Sequence, residues 1–458
     1  MELNSVVESL KNQSILVTGA TGFLAKLFVE KLLRVQPDLK QLYLLIRATD
    51  SASAAQRFDD VVSGKLFRVL REKLGVKYTT YIRYDDAILT NTMGAKHVAE
   101  FSKKCEKLPL LLHISTAYVC GEKSGLILEN PLRMGETLNG TESAELDIEV
   151  EMKLVSGRLD EQKASQVSPK EEMIAMKELG LERARLFGWP NTYVFTKAMG
   201  EMIICESKGA DLKVVILRPT IIISTLKEPF PGWIQGVRSI DSFFLAFGKG
   251  NGRLITANPQ TVVDVIPGDM VVNAAIVAMA GHANQPSNGS DTFIYHMGSS
   301  AKAPLRSTKL VDYAYHYFST NPMISPPSKG ESFGKPIKIS YPFVFPTMTS
   351  FLIFFYLTCV FPVEVVLLLN KLVFFDYFHD ICSYAERKIN FVLRMVALYK
   401  PYAVFKGIFD DSNTERLRME VKLIEAEANK FFFDPKCINW DDYYMNVHIP
   451  GLVKYVFR

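Results

Sequence analysis

A chain of 458 residues can bury one large core or two domains, and its 48% hydrophobic content is that of a globular protein. The balance of 53 Lys and Arg against 49 Asp and Glu leaves a net charge of +4, which makes no case for a nucleic-acid partner. Six scattered cysteines without Cys-x-x-Cys spacing, and seven scattered histidines, exclude a disulfide frame and a metal site and suit reduced thiols on the cytosolic side.

The first segment, MELNSVVESLKNQ, lacks the basic start and apolar core of a signal peptide and the Arg-rich bias of a transit peptide. Any membrane contact is therefore expected from elsewhere in the chain. Ser14–Thr18 is a short apolar run, as a buried parallel strand should be. The turn Gly19-Ala-Thr-Gly22-Phe-Leu-Ala25 follows and opens a helix through about Arg34. Glycine at such a turn lets the backbone approach a pyrophosphate, and the small Ala25 permits close helix–strand packing. The phosphates would meet free N–H groups and the positive end of a helix dipole.

Gln41–Ile46 reads as the second strand, and it ends in Arg47. An acidic residue at that position holds the ribose hydroxyls of NAD, whereas a cation suits the 2′-phosphate of NADP. Arg47 therefore points to NADPH; the plainer alternative is an arginine that caps a strand end. A helical stretch over 51–74 leads to Gly75 and to Val76–Ile82, which is rich in β-branched and aromatic residues.

Leu110–Ser115 is a further buried strand, followed by Thr116-Ala-Tyr-Val-Cys-Gly121. A hydroxyl at the C-terminal end of a parallel strand faces the ligand crevice. Thr116, with Ser115 as runner-up, would bond a substrate carbonyl; the alternative is a hydroxyl that only caps the strand. Cys120 could serve as a thioester nucleophile, but no local His or carboxylate would make it a thiolate. Residues 141–187 are charged and read as solvated helices.

In Asn191-Thr-Tyr-Val-Phe-Thr-Lys197, Tyr193 and Lys197 stand roughly one helical turn apart and can share a helix face. A nearby ammonium lowers the pKa of a phenol. A tyrosine so tuned can protonate a carbonyl oxygen as hydride reaches the carbon. Taken alone the pair could be a surface Tyr and Lys; with the glycine turn it points to pyridine-nucleotide redox chemistry. Lys213–Leu217 is the next strand, leading to Arg218-Pro219-Thr220. The run Glu228-Pro-Phe-Pro-Gly-Trp233 is turn chemistry beside a bulky anchor, either lining an entrance or forming a plain loop. Val262–Pro267 and Asp269–Met279 read as a strand and a buried helix, with Asp264 and Asp269 structural.

A Pro-, Gly- and Ser-rich link over 321–340 precedes the most apolar part of the chain, Thr347–Val363 and Val365–Phe375. The first run is shorter than the ~20 residues that span a bilayer, and Pro362 is expected to interrupt it. A hairpin lying in the membrane interface fits; a buried helix pair closing an acyl tunnel is the alternative. Tyr384–Tyr399 and Asn413–Lys430 read as amphipathic helices.

These motifs together resemble the extended short-chain dehydrogenase/reductases and, within them, the plant-type alcohol-forming fatty acyl-CoA reductases. The resemblance rests on TGATGFLAK, LLHISTAYVCGE, GWPNTYVFTKAMGE and LRPTIIISTLKEPFPGWIQG. It extends to YKPYAVFKGIFDDSNTERLR and INWDDYYMNVHIPGL near the C-terminus. It implies a Rossmann-type doubly wound parallel α/β sheet with a helical C-terminal domain. The implied limits are 11–320 for the reductase domain, 321–345 for the linker and 346–458 for the helical domain. It implies reduction of a long- or very-long-chain fatty acyl-CoA by two NADPH, through a bound aldehyde, to a primary alcohol. Thr116, Tyr193 and Lys197 would act at the carbonyl. Gly19, Thr21, Gly22, Phe23, Leu24, Arg47 and Asn91, with Tyr193 and Lys197, would contact or support the cofactor. A membrane surface is the implied partner besides acyl-CoA, with no metal. The implied location is the cytosolic face of the endoplasmic reticulum, with cytoplasm or plastid as alternatives. Wax, suberin and pollen-wall alcohols are all compatible.

One departure is large: residues 48–109 are too few for the two strands the family carries there. In the strand order 3-2-1-4-5-6 the third strand is an edge, but the fourth lies beside the first. Val76–Ile82 is expected to replace the fourth, with the third absent. Loss of the fourth would leave costly unpaired backbone groups. Two other readings stay open. One is a catalytically impaired NADP-binding relic or splice form; the other is a different extended-family enzyme, such as a sterol or sugar-nucleotide dehydrogenase or epimerase.

Overall fold

The computed structural model describes residues 5–46, 66, 87–105, 107–139, 145–207, 212–283, 292–327, 333–373, 379–403, 405–422 and 424–457. Arg47 and Val76–Ile82 lie outside them. The chain divides into two compact units: 1–237 with 264–303 and 407–458, and 238–263 with 304–406.

The first unit carries the nucleotide motif. Strand β1 (Ser14–Val17) pairs in parallel with β2 (Gln41–Leu44), and the glycine turn between them opens a helix over Phe23–Val35. Strands β3 (Leu110–Ile114), β5 (Lys213–Pro219) and β9 (Thr292–Met297) form a parallel sheet in the order β3-β5-β9. Every residue of β5 is buried, which explains its unbroken apolar run. Val214 and Ile216 pack with Ala95, Ile204 and Ile294, so the Thr192–Ser207 helix lies on that face. The Gly268–Ala283 helix, almost wholly buried, packs on β3 and β5 and on the Phe23–Val35 helix. Short parallel pairs, β6 (Ile221–Ile223) with β8 (Val265–Pro267) and β4 (Gly125–Ile127) with β11 (Gly407–Phe409), complete the unit.

Among the described residues no strand pairs with the second edge of β1, nor with the second edge of β3. Leu16, in what should be a central strand, is 48% exposed, whereas the residues of β5 are all buried. A strand lying between β1 and β3 would cover both edges, and this is where the shortening was expected to act.

The segment 407–458 packs with the nucleotide unit, so packing cuts the chain differently from the linear limits at 320 and 346. The Glu129 carboxylate makes this join. It accepts hydrogen bonds from His296 N at 2.8 Å, Asn413 N at 2.6 Å and Thr414 Oγ1 at 3.4 Å.

The second unit contains helices Ser239–Gly248 and Ser307–Thr320 and the parallel pair β7 (Leu254–Thr256) with β10 (Phe343–Phe345). Its apolar block is one continuous helix: Met348–Phe355, a π turn over Tyr356–Val360, and Phe361–Val373. The expected interruption at Pro362 is not found. Proline removes a helix donor and crowds the preceding turn, and the π turn directly before it absorbs both effects. The 22 residues Met348–Leu369 are long and apolar enough to cross a bilayer, and only 6% of the most apolar window within them is buried. That exposure argues against a buried helix pair closing a tunnel. Helix His379–Ala403 packs on the second half of this element.

Candidate active site

The glycine turn has the shape a pyrophosphate needs. Gly19 sits at φ +64°, a left-handed conformation that costs glycine little, and a Cβ there would meet nothing within 4 Å. Gly22 donates to Gly19 O at 2.9 Å and is the N-cap of the Phe23–Val35 helix, with no side-chain cap. Gly22, which has no side chain, supplies this 13-residue helix no side-chain cap, and the space beside Gly19 is open, the arrangement a phosphate at a helix start requires. Residues Gly19, Thr21, Gly22 and Leu24 line this turn, and it fits a dinucleotide phosphate. The Phe23 ring is turned inward, 3% exposed.

Thr116 follows β3 and is the extended N-cap of the short 3-10 helix Ala117–Cys120. Its buried hydroxyl accepts from Tyr118 N at 3.4 Å and donates to Pro219 O at 3.5 Å, both long bonds. Ser115 is held by its own N–H on Leu217 O at 2.8 Å, and its buried Oγ has no hydrogen-bond partner.

Tyr193 and Lys197 occupy the first turns of the Thr192–Ser207 helix. Tyr193 is 36% exposed. Lys197 Nζ donates to Ile114 O at 3.1 Å, which brings the dyad helix to the strand end that carries Ser115 and Thr116. Desolvation holds the Lys197 ammonium below the usual lysine range, against the opposing charge of Glu201. One further turn along, Glu201 forms a buried two-pronged pair with Arg218, Nε–Oε1 3.0 Å and Nη2–Oε2 2.6 Å. Arg218 also donates to Asn130 O at 2.9 Å. The sequence reading missed this pair, although the Lys-x-x-x-Glu spacing and an arginine at a strand end were visible.

Asn91 is placed against the dyad helix. Its Nδ2 donates to Thr196 Oγ1 at 3.0 Å, and Thr92 Oγ1 donates to Thr196 O at 3.0 Å. Gly200 packs so closely that a Cβ there would overlap the Asn91 carbonyl oxygen.

The other titratable groups singled out by the sequence are buried or occupied by the backbone. Burial pushes the Cys120 thiol up to about 12, which disfavours the thiolate. His113 is driven down to about 3 by burial and by the Lys197 and Arg218 cations. Asp264 accepts from Ser299 N at 2.7 Å and Ser300 N at 3.3 Å. Asp269 accepts from Leu226 N and Lys227 N, each at 2.8 Å, and from Glu228 N at 3.0 Å. Both act as staples between loops. Trp233 does not line an entrance: it is 5% exposed and stacks on Phe23, centroids 5.1 Å apart at 15°. No group of metal-ligating side chains occurs among the described residues.

Two family models described as "Male sterility protein" match the chain, an NAD-binding one over residues 17–82 and 74–275 and a second over 371–458. The two NAD-binding matches meet at 74–82, inside the shortened region. The chain is 44% identical to the alcohol-forming fatty acyl-CoA reductase of Simmondsia chinensis, covering 100% of both, in an alignment of 503 positions against 458 residues. It is 42% identical to fatty acyl-CoA reductase 1 of Arabidopsis thaliana, again over 100% of both. The fold is like that of the terminal R domain from a myxalamid biosynthetic pathway, at TM-score 0.52 and 13% identity over 98% of this chain and 92% of that one. Its sequence, its Rossmann-type parallel sheets and its nucleotide turn make this chain a member of the fatty acyl-CoA reductase family.

Proposed function

We propose that the chain reduces long- or very-long-chain fatty acyl-CoA to the primary alcohol, with NADPH as reductant and an aldehyde held between two reductions. The observation that carries this reading is the Lys197–Ile114 bond, which joins the Tyr193 helix to the strand end bearing Ser115 and Thr116. The cofactor would supply hydride, and the remaining work falls to the chain. The uncapped turn at Gly19–Gly22 would hold its phosphates, and Arg47 its 2′-phosphate. Thr116, with Ser115 beside it, would polarise the thioester carbonyl and then the aldehyde. Tyr193 would donate the proton to the alkoxide, with Lys197 keeping the phenol acidic. The exposed Met348–Leu369 helix supports contact with a membrane, where an acyl substrate and an insoluble alcohol would reside. The cytosolic face of the endoplasmic reticulum membrane is the location the family resemblance suggests, with cytoplasm or plastid as the alternatives.

Expression of the chain in a host without fatty alcohols tests the reading. Alcohol should accumulate, and Tyr193→Phe should abolish it at equal protein level. A second reading, a reductase impaired by its shortening, is favoured by the edges of β1 and β3 that no strand among the described residues pairs with. Absence of alcohol from well-expressed chain, restored by inserting the relatives' segment near 74–82, would select it.

A further inference from the structure

The loop that carries Trp233 is held at one end by the C-terminal segment and presses at the other on the first residue of the nucleotide helix. Trp233 stacks on Phe23, which directly follows Gly22 of the turn. Phe23 is backed from another side by the N-terminus of the Gly268–Ala283 helix, where a Cβ on Gly268 would lie 3.2 Å from the Phe23 ring. Within the loop, Trp233 N donates to Thr225 Oγ1 at 2.9 Å, and Thr225 Oγ1 donates to Phe230 O at 2.7 Å.

The C-terminal grip is built from buried polar groups and two glycines. Tyr443 OH donates to Ser224 O at 2.7 Å and lies 2.9 Å from Ser224 Oγ, while His448 Nδ1 is 3.0 Å from the same Oγ. Ser224 and His448 are fully buried. Gly232 lies against Val447 O, 2.6 Å from where its Cβ would be, and a Cβ on Gly451 would overlap Gly232 O. Two backbones thus touch with no side chain between them.

We propose that Trp233, on the loop that Tyr443 and His448 hold at Ser224 and Gly451 holds at Gly232, is a positioning residue for the dinucleotide turn, so that the C-terminal segment sets cofactor affinity. This rests on the cofactor reading above. The physical reason is that phosphate binding at a helix start depends on the direction of its first N–H groups, and the Trp233 ring fixes the residue that begins the helix. An aromatic stack contributes directional packing beyond buried area, which an alanine removes and a phenylalanine retains.

The test uses the full-length, detergent-solubilised chain and titrates NADPH by its fluorescence, with the thermal midpoint and the acyl-CoA KM measured alongside. Trp233→Ala should weaken NADPH binding about tenfold, the effect of losing one aromatic stack. Trp233→Phe should stay within about twofold of the parent, and the acyl-CoA KM should not move. Tyr443→Phe, which removes only the hydroxyl that bonds Ser224, should weaken NADPH binding about threefold. Because Tyr443 acts through Trp233, the double variant should bind no worse than Trp233→Ala alone. Multiplying effects, or Trp233→Ala binding NADPH as the parent does, would overturn the relay and leave the cofactor reading standing. A folded parent chain that binds no NADPH would overturn the cofactor reading and the relay with it.

Discussion

Lys197 Nζ donates to the carbonyl oxygen of Ile114 at 3.1 Å, one helical turn beyond Tyr193 and one residue before Ser115. The bond joins the helix that carries Tyr193 to the strand end that carries Ser115 and Thr116, without using any of their hydroxyls. Replacement of Lys197 by Ala should therefore cost about 10²–10⁴ in alcohol formation, the range for general acid catalysis. Lys197→Arg should not restore it, because a planar guanidinium cannot reproduce a single ammonium bond in that space. Single-turnover reduction of acyl-CoA measures both; retention of activity in Lys197→Ala would remove the dyad assignment.

The buried Glu201–Arg218 pair predicts asymmetric mutant behaviour. Glu201→Gln leaves Arg218 buried without its counter-charge and should destabilise by about 3–5 kcal/mol. The double Glu201→Leu, Arg218→Met variant should recover much of that loss, since both charges are then gone. Chemical denaturation followed by tryptophan fluorescence compares the three.

Gly200→Ala should destabilise by about 1–3 kcal/mol, because the added methyl must push the dyad helix off the Asn91 turn. Activity should fall with it, in contrast to Gly157→Ala, where a Cβ meets nothing within 4 Å. Equal thermal midpoints for the two variants would contradict the packing described here.

Stability should pass through a maximum with pH. Burial raises Glu129 from 4.5 to about 7, so its contribution is present below pH 4.5 and is lost as pH rises through about 7. Burial lowers His296 from 6.5 to about 4 and His113 from 6.5 to about 3. Their contributions are present above pH 6.5 and are lost as pH falls through those values. Glu129→Gln should flatten the alkaline side of a thermal-midpoint profile, and His296→Gln the acid side.

A charge placed on the exposed apolar helix should release the chain from membranes if the proposed contact is made there. Leu357 is 58% exposed within that helix. Leu357→Lys should disfavour insertion by about 2.5–3.5 kcal/mol, the cost of a lysine at a bilayer centre. Sedimentation of the chain with microsomes reads this directly; unchanged pelleting would place the contact elsewhere.

Much of this protein was legible in its sequence because the signals are local. Apolar runs at 14–18, 41–46, 110–115 and 213–217 coincide with β1, β2, β3 and β5 to within a few residues. The glycine turn, the Tyr193–Lys197 spacing and the charged helices within 141–187 depend on neighbours close along the chain. The tertiary structure decided what depends on partners far along the chain. It put 407–458 with the nucleotide unit through β4–β11 pairing and Glu129, turned Trp233 onto Phe23, and paired Glu201 with Arg218. It also set Asn91 against Thr196 and carried a helix through Pro362. Periodicity reports which face of an element is apolar, but not which distant element covers it. That choice belongs to hydrogen-bond satisfaction and close packing, which exist only once the chain has folded.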